Sequence, residues 1–532
     1  MGRQSAAPLR DERVVFSHRT RPDGFSDTDW QRGALEIELK LLMDPADLAR
    51  VGHSGAVSRA RRGRARSAAL HTIYYDTPDG LLWRGGVALR LRRTGSRWIQ
   101  TVKGAGEAIG GLHRREEIEW PVATGALDLD LLAGTPFAKL FSRSRVRQGL
   151  SSIFETEFRR RSIELELSDG TKATLCLDSG EIRAGASVEP ICEVEVELVQ
   201  GEITSLLDFA RDLLLERPFR ISTHSKAQRG HILAASTQNS TTPARSGDVD
   251  LAGVAGTSEA FVRIVQSAAE QVHDNERGVL ESNDPEYLHQ MRVGLRRLRV
   301  ALSLPGDEAW EAASRPLRDR FRALSRVLGE ARNWYVFAGE MLRPMAAHTE
   351  AKILAGLRAR AGLRRVAALA AARNAIQSRE TTQLWLDLAR LMMLARADTN
   401  GRTRDFAASS LKLRYLGMFK AAEQVDSAGK LHELRIAAKK LRYVCEFFAD
   451  LYPRKKVKRF LSTLSVLQDE LGVVNDAAVS RVLLGKADAG ARPLGAEARG
   501  MALGWIAAYE TQARARAQAA AKLSFNEKPF WK

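Results

Sequence analysis

The sequence predicts an α+β chain, with a strand-rich N-terminal half that builds one antiparallel sheet or barrel and an all-helical C-terminal half. Three observations predict it. Short runs that alternate polar and apolar residues fill the first 235 positions: LEIELKL, TIYYDT, ALRLR, WIQTVK, EEIEW, SIELEL, ATLCLD and CEVEVEL. Alternation over about four to eight residues is the pattern of a half-buried strand. Beyond residue 256 the texture changes to Ala/Leu/Arg stretches with a helical period and few strand formers. Between the two, residues 236–256 (STQNSTTPARSGDVDLAGVAG) lack aromatics and are rich in Ser, Thr, Gly and Asp, which reads as a linker. The expected domains are 33–235, a linker over 236–256, and 257–525.

A chain of 532 residues exceeds what one hydrophobic core organises, at about 150 residues per domain. No apolar run reaches the roughly 18 residues of a membrane span, and the N-terminus, MGRQSAAPLRDERVVF, carries no signal-peptide stretch. Ala6 stands where a myristoylation site wants Ser or Thr. Cys176, Cys192 and Cys445 are widely spaced and fit neither a zinc site nor a disulfide framework. A cytoplasmic, reduced setting is expected. The net charge of +18 is uneven: residues 1–255 hold 36 Lys+Arg against 34 Asp+Glu, and residues 256–532 hold 46 against 30. A half with net +16 attracts polyanions through its field and through counterion release.

The helical half repeats itself. HQMRVGLRRLRVAL begins at His289 and HELRIAAKKLRYVC at His432, while LGEARN starts at Leu328 and LGVVND at Leu471, both pairs 143 residues apart. Two helical units related by a pseudo-twofold are expected. On a helix, His289, Arg292, Arg296 and Arg299 fall within about 80° of one another, as do His432, Arg435, Lys439 and Arg442. Met291, Leu295 and Leu298, matched by Leu434, Ala438 and Leu441, take the opposite side. A duplicated stripe of like charges, repelling at every turn, points to an anionic ligand. The run PRKKVKR at 453–459 adds an expected flexible cationic patch.

These motifs resemble the CHAD family of histidine-containing α-helical domains. The resemblance implies paired helical bundles with a basic groove for inorganic polyphosphate, and by extension an association with polyphosphate granules. One departure is visible: LGEARNWYV carries Asn333 and Tyr335 where acidic residues are usual.

In the strand-rich half the charges share faces. Glu36, Glu38 and Lys40 project from one side of LEIELKL, with Leu35, Ile37, Leu39 and Leu41 on the other. Arg90 and Arg92, Glu117 and Glu119, and Glu193, Glu195 and Glu197 repeat the pattern. Carboxylates two residues apart lie about 7 Å from each other and repel unless a cation intervenes. If the sheet closes, apolar faces pack outward and charged faces line an interior, with carboxylates for Mg²⁺ or Mn²⁺ and Arg/Lys for phosphate oxygens.

At these residues the sequence resembles the CYTH superfamily, the triphosphate tunnel metalloenzymes. Glu36-Ile-Glu38-Leu-Lys40 is that family's E-x-E-x-K signature, followed by YYDTPD at 74–79 and the Arg90/Arg92 pair. Lys103, Arg115, Glu117, Arg160, Asp178, the 193–197 glutamates and Lys226 come after, in family order. The resemblance implies an eight-stranded antiparallel tunnel that hydrolyses triphosphates. Glu36, Glu38 and Lys40 would be central to catalysis. Glu36, Glu38, Glu195 and Glu197, with Glu117 and Asp178, would hold divalent metal, and Glu193 could replace Glu195 or Glu197. Lys40, Arg90, Arg92, Lys103, Arg115, Arg160 and Lys226 would grip phosphates. Arg159 and Arg161 flank Arg160, and a slip of one residue would exchange their faces.

Other features are set aside. No phosphate-loop motif or nucleophile elbow is present. His224 and His231 read as exposed loop histidines, Tyr74-Tyr75 as strand packing, and RARRGRAR at 59–66 as an insertion between strands. The expected activity is metal-dependent hydrolysis of inorganic triphosphate, tethered to polyphosphate by the basic half. The competing readings are a non-catalytic polyphosphate binder and a triphosphatase for thiamine triphosphate or nucleotides. Nucleic acid is motivated by charge alone, and the sequence gives no reading of oligomeric state.

Overall fold

The computed structural model describes residues 34–236, 242–396, 401–423, 428–489, 493–524 and 528–531. The N-terminal segment, read above for leader signals, lies outside them. Two compact units divide between Thr242 and Pro243, inside the stretch read as linker.

The first unit is a closed antiparallel barrel. Its strands are β1 (Ala34–Leu42), β2 (Arg61–Asp76), β3 (Ala88–Thr94), β4 (Arg97–Lys103), β5 (Glu107–Ile109), β6 (Leu112–Val122), β7 (Ser151–Glu166), β8 (Lys172–Ala184), β9 (Ser187–Gln200) and β10 (Arg220–Ile221). Eight of them run β1-β9-β8-β7-β2-β3-β4-β6, and β6 pairs back onto β1 to close the ring; β10 extends β1 and β5 extends β6. Helices α1 (Pro45–Val51) and α2 (Gly55–Ala60) precede β2, α3 (Leu81–Arg84) precedes β3, and α4 (Ala138–Phe141) and α5 (Ser144–Gly149) precede β7. After β9 come α6 (Ile203–Glu216) and, beyond β10, α7 (Lys226–Ser236).

Closure explains the charged strand faces. Ile37, Leu39 and Leu41 are buried on the outer side of β1, where α6 covers β1 and β9 with Leu206, Leu207, Ala210 and Leu213. The charged alternates turn into the lumen. One part of the lumen is filled by an apolar cluster of Leu70, Tyr74, Phe154, Phe158, Ile182 and Ile191, packed against Leu233 of α7. Gly230 allows this approach, since a Cβ there would stand 2.1 Å from the Phe154 ring.

The arginine run at 59–66 differs from its expectation as a loop. Arg59 and Ala60 end α2, and Arg61–Arg66 open β2, paired with β7 across a bulge at Gly63 (φ 65°). Glutamates of β7 opposite explain it: Arg62 lies 3.3 Å from Glu166 and Arg66 3.6 Å from Glu164.

The second unit is helical: α8 (Thr257–Glu281), α9 (Pro285–Ala301), α10 (Glu308–Val336), α11 (Leu342–Ala347), α12 (Ala351–Ile376), α13 (Arg379–Arg396), α14 (Thr403–Ala422), α15 (Ala428–Phe447), α16 (Arg454–Asp488) and α17 (Ala496–Ser524), with one π turn at Phe337–Met341. The repeat extends over four helices: α8, α9, α10 and α12 recur as α14, α15, α16 and α17, with starts displaced by 146, 143, 146 and 145 residues. Across the repeat α9 packs on α15 and α10 on α16. Met291, Leu295, Leu298, Leu434, Ala438 and Leu441 are all buried, as their helical spacing requires. The basic run 453–459 is no flexible patch: it forms the first turns of α16, because Val457 and Phe460 bury one side while the lysines stay outside.

Gly111 combines a left-handed backbone with close packing against β1. It has φ 82°, its carbonyl accepts a hydrogen bond from the Lys40 amide at 2.9 Å, and a Cβ would meet the Lys40 carbonyl at 3.0 Å and Ile221 Cγ2 at 2.7 Å. Left-handed backbone costs a non-glycine residue about 1–2 kcal/mol. Gly111→Ala should therefore lower the first unit's melting temperature by about 3–8 °C in a thermal melt, and an unchanged melt would contradict this account of β1.

Candidate active site

β1 brings three lumen groups forward at two-residue spacing. Glu38 and Lys40 are almost fully buried, and Lys40 Nζ donates to Glu38 at 2.7 Å and also to Glu195. Register does the rest: Glu36 lies opposite Arg115 of β6, Glu38 opposite Glu197 and Lys40 opposite Glu195 of β9. Lys103 Nζ donates to both Glu36 oxygens at 2.8–2.9 Å, Arg115 Nε to Glu36 at 3.1 Å, and Arg115 Nη2 to Glu38. Burial pushes the Glu36 and Glu38 carboxyls up, but these cations hold both below the usual range.

The carboxylates fall into two groups. In one, Glu36, Glu38 and Glu197 bring oxygens within 4.8 Å of one another. Burial, reinforced by Glu195, Glu38 and Glu36 and opposed by Arg160, pushes the Glu197 carboxyl up to about 7. In the other, Asp178, Glu193 and Glu195 are just as close but are saturated with cations. Lys226, the first residue of α7, donates to Asp178 at 2.7 Å, to Glu195 at 3.1 Å and to Glu193. Arg160 forks onto Asp178 at 2.6 and 2.8 Å and reaches Glu195 and Glu197. The remaining sequence candidate for metal, Glu117, belongs to neither group; it pairs with Arg90 and Lys103, each at 3.2 Å.

β3 supplies cations with spare donors. Arg90 Nε is buried without a hydrogen-bond partner, and Arg92 donates to Thr72 Oγ1 at 3.3 Å and holds no ion pair among the described residues. Burial, then Arg90 and Arg160 nearby, lowers the Arg92 guanidinium below its ordinary value. Together these side chains line a cavity of about 290 Å³ with seven cations (Lys40, Arg90, Arg92, Lys103, Arg115, Arg160, Lys226) and six carboxylates (Glu36, Glu38, Glu117, Glu119, Glu195, Glu197).

Every residue singled out on the strands thus faces one lumen. Arg160, not Arg159 or Arg161, points inward, opposite Asp178. Sequence reasoning missed several groups. Tyr74 lines the cavity; its ring stacks on Phe154 at 4.5 Å, and although burial pushes its hydroxyl up, Arg90 and Arg92 bring it below its usual value. His113 is buried, kept neutral by burial and then by Lys40 and Arg115 (pKa about 3), and its Nε2 donates to the Ser222 carbonyl at 2.9 Å. His231 is no exposed loop histidine: it sits on α7, stacked on Trp83 at 4.7 Å. Arg229 was also missed, though its place three residues after Lys226 on a helix was a usable signal.

The helical stripes meet across the repeat. Burial, then Arg296, Arg332 and Arg435, lowers the Arg292 guanidinium to about 9, while burial, then Arg296 and Arg435, lowers the Lys439 ammonium to about 6, with Asp476 the opposing acid. Arg296 Nε and Arg435 Nε are buried without partners. His289 is depressed to about 4, by burial first and then Arg332, so it is neutral. Arg299 joins a neighbouring group with Arg322 and Arg326. Two stripe members differ: His432 is exposed, and Arg442 pairs with Glu446 at 2.7 Å and Gln468 at 3.3 Å.

Residues 34–231 match the CYTH domain family and residues 263–485 the CHAD domain family. An inorganic triphosphatase of Haemophilus influenzae is 34% identical over 168 residues, which are 31% of this chain and 46% of that protein. The chain thus spans about half the length of this curated relative. Among solved structures, the CHAD domain from the plant Ricinus communis is 33% identical, with 54% of this chain and 98% of that one covered and a TM-score of 0.48. A putative adenylyl cyclase from Hippeastrum, described as having a dominant triphosphatase activity, is 20% identical over 37% of this chain and 95% of that one, with a TM-score of 0.29. Barrel, lumen charges and duplicated helical unit agree with the two family matches: the chain belongs to the CYTH and CHAD families, joining the two domains in that order.

Proposed function

We propose that the barrel lumen hydrolyses inorganic triphosphate with Mg²⁺ or Mn²⁺, and that the basic helical unit binds inorganic polyphosphate. The observation that carries the first part is the crowding of Glu36, Glu38 and Glu197 beside guanidiniums with unused donors. Three lumen carboxylates, Glu38 buried and Glu36 and Glu197 half-buried, with oxygens within 4.8 Å and one pushed up to about 7, suit a divalent cation that takes a few carboxylate oxygens and leaves positions for phosphate. These three residues would hold it, and the ion when bound would neutralise charge on the phosphoryl oxygens.

The chain's own residues do the rest. Arg90 and Arg92 offer donors to a phosphate group without breaking an existing ion pair at Arg92 or at Arg90 Nε. Lys103, Arg115 and Lys40 exchange part of their carboxylate contacts for phosphate oxygens, which keeps every buried charge paired. Hydrolysis is then dominated by positioning and charge stabilisation, as phosphoryl transfer requires. An inorganic substrate is favoured over a nucleotide or thiamine triphosphate because the cavity offers no free stacking face: Tyr74, the one aromatic among its lining residues, is already stacked on Phe154.

In the helical unit, Arg292, Arg296, Arg435 and Lys439 form a cation cluster in which Asp476 opposes the charge of Arg435 and Lys439, and the unpartnered Nε atoms of Arg296 and Arg435 favour a long polyanion.

Two expectations follow. Glu36→Ala and Lys40→Ala should each reduce Mg²⁺-dependent phosphate release from tripolyphosphate by at least about 100-fold, and full activity in either would sink the assignment. Polyphosphate should bind most tightly with Lys439 protonated; with its ammonium near 6 in the free protein, affinity rises as pH falls from about 8 to about 6. Calorimetric titration at several pH values checks this. Lys439→Arg should flatten the profile, and a flat wild-type profile would contradict it.

A further inference from the structure

Lys226 lines the cavity and spends its three N–H donors on three carboxylates, Asp178, Glu193 and Glu195, so it reaches a phosphate by releasing one of them. A buried carboxylate released in this way must keep another cation. For Glu193 that cation is Arg229. Glu193 Oε1 accepts from Lys226, and its other oxygen, Oε2, accepts from Arg229 Nη1 at 2.7 Å. The rest of the Arg229 fork is anchored on the same stretch of β9, with Nε on Glu189 at 2.7 Å and Nη2 on the Pro190 carbonyl at 2.6 Å. Arg229 does not line the cavity and so touches no substrate there. It lies one helical turn after Lys226, on the same side of α7, so its fork also fixes the helix turn that carries Lys226.

The geometry points to Arg229 as a positioning residue that keeps Glu193 paired when Lys226 turns one of its donors from that carboxylate to a phosphate of the substrate. The inference rests on the triphosphatase reading of the lumen. Without Arg229, the buried Glu193 has Lys226 as its remaining cation among the described residues, and Lys226 stays on the carboxylate instead of turning to phosphate.

Steady-state hydrolysis of tripolyphosphate by the full chain tests it. Arg229→Ala should raise KM about tenfold with kcat within about twofold of wild type, the signature of lost substrate binding. Arg229→Lys, which restores a charge but not the fork, should fall between. Adding Glu193→Gln to Arg229→Ala should bring KM back toward wild type, because it removes the charge that captures Lys226; a merely structural loss would not be rescued this way. An unchanged KM in Arg229→Ala, or a defect that Glu193→Gln leaves in place, would overturn the assignment alone. A wild-type chain that releases no phosphate would overturn the triphosphatase reading itself, and this inference with it.

Discussion

A carboxylate sealed inside a closed barrel is tolerable only with a cation against it, and that requirement organises the first unit. Taking an ion from water into a low-dielectric interior costs several kcal/mol, repaid when partners and hydrogen bonds are in place. Closure of β6 onto β1 turns Glu36, Glu38 and Lys40 inward with the charged alternates of β3, β6 and β9, so their pairing must be solved within one lumen. Lys103 and Arg115 settle Glu36, Arg115 and Lys40 settle Glu38, and Lys226, Arg160 and Lys40 settle Glu195. Where the pairing is incomplete, at Glu197 among the acids and at Arg90 and Arg92 among the cations, the lumen has capacity for a metal and a phosphate.

The helical unit meets the opposite condition. Its stripes bring Arg292, Arg296, Arg435 and Lys439 together across the repeat, with Asp476 opposing Arg435 and Lys439, and the burial that raises carboxyls in the barrel lowers cations here. Such a cluster is stable only because its members stay partly solvated or lose protons, and it gains most from an external anion. The two units carry different net charges for this reason: the lumen pairs both signs, whereas the helical stripes gather one.

Much of this was legible in the sequence because it depends on period. Alternation identified the strands and put Glu36, Glu38, Lys40, Arg90 and Arg92 on common faces, and the 143-residue offset exposed the duplicated helices before any packing was known. What was not legible depends on register and on contacts between distant segments. The split of six carboxylates into a group at Glu36, Glu38 and Glu197, where Glu197 has a 3.2 Å contact from Arg160, and a group at Asp178, Glu193 and Glu195 that shares Lys226 follows from how β9 slides against β1 and from α7 entering one side. The roles of Tyr74 and Arg229 were hidden for the same reason, since Phe154 and Glu193 are far away in sequence. The arginine run at 59–66 read as a loop because its partners, Glu164 and Glu166, lie about a hundred residues on.

The central claim is that one carboxylate group of the lumen is poised for a metal while its neighbour is not. Crystals of the full chain grown with Mn²⁺ and a slowly hydrolysed triphosphate analogue, measured at the manganese absorption edge, test it most directly. The account predicts an anomalous peak bounded by Glu36, Glu38 and Glu197. A peak bounded instead by Asp178, Glu193 and Glu195, or no lumenal peak with the analogue bound, would contradict it.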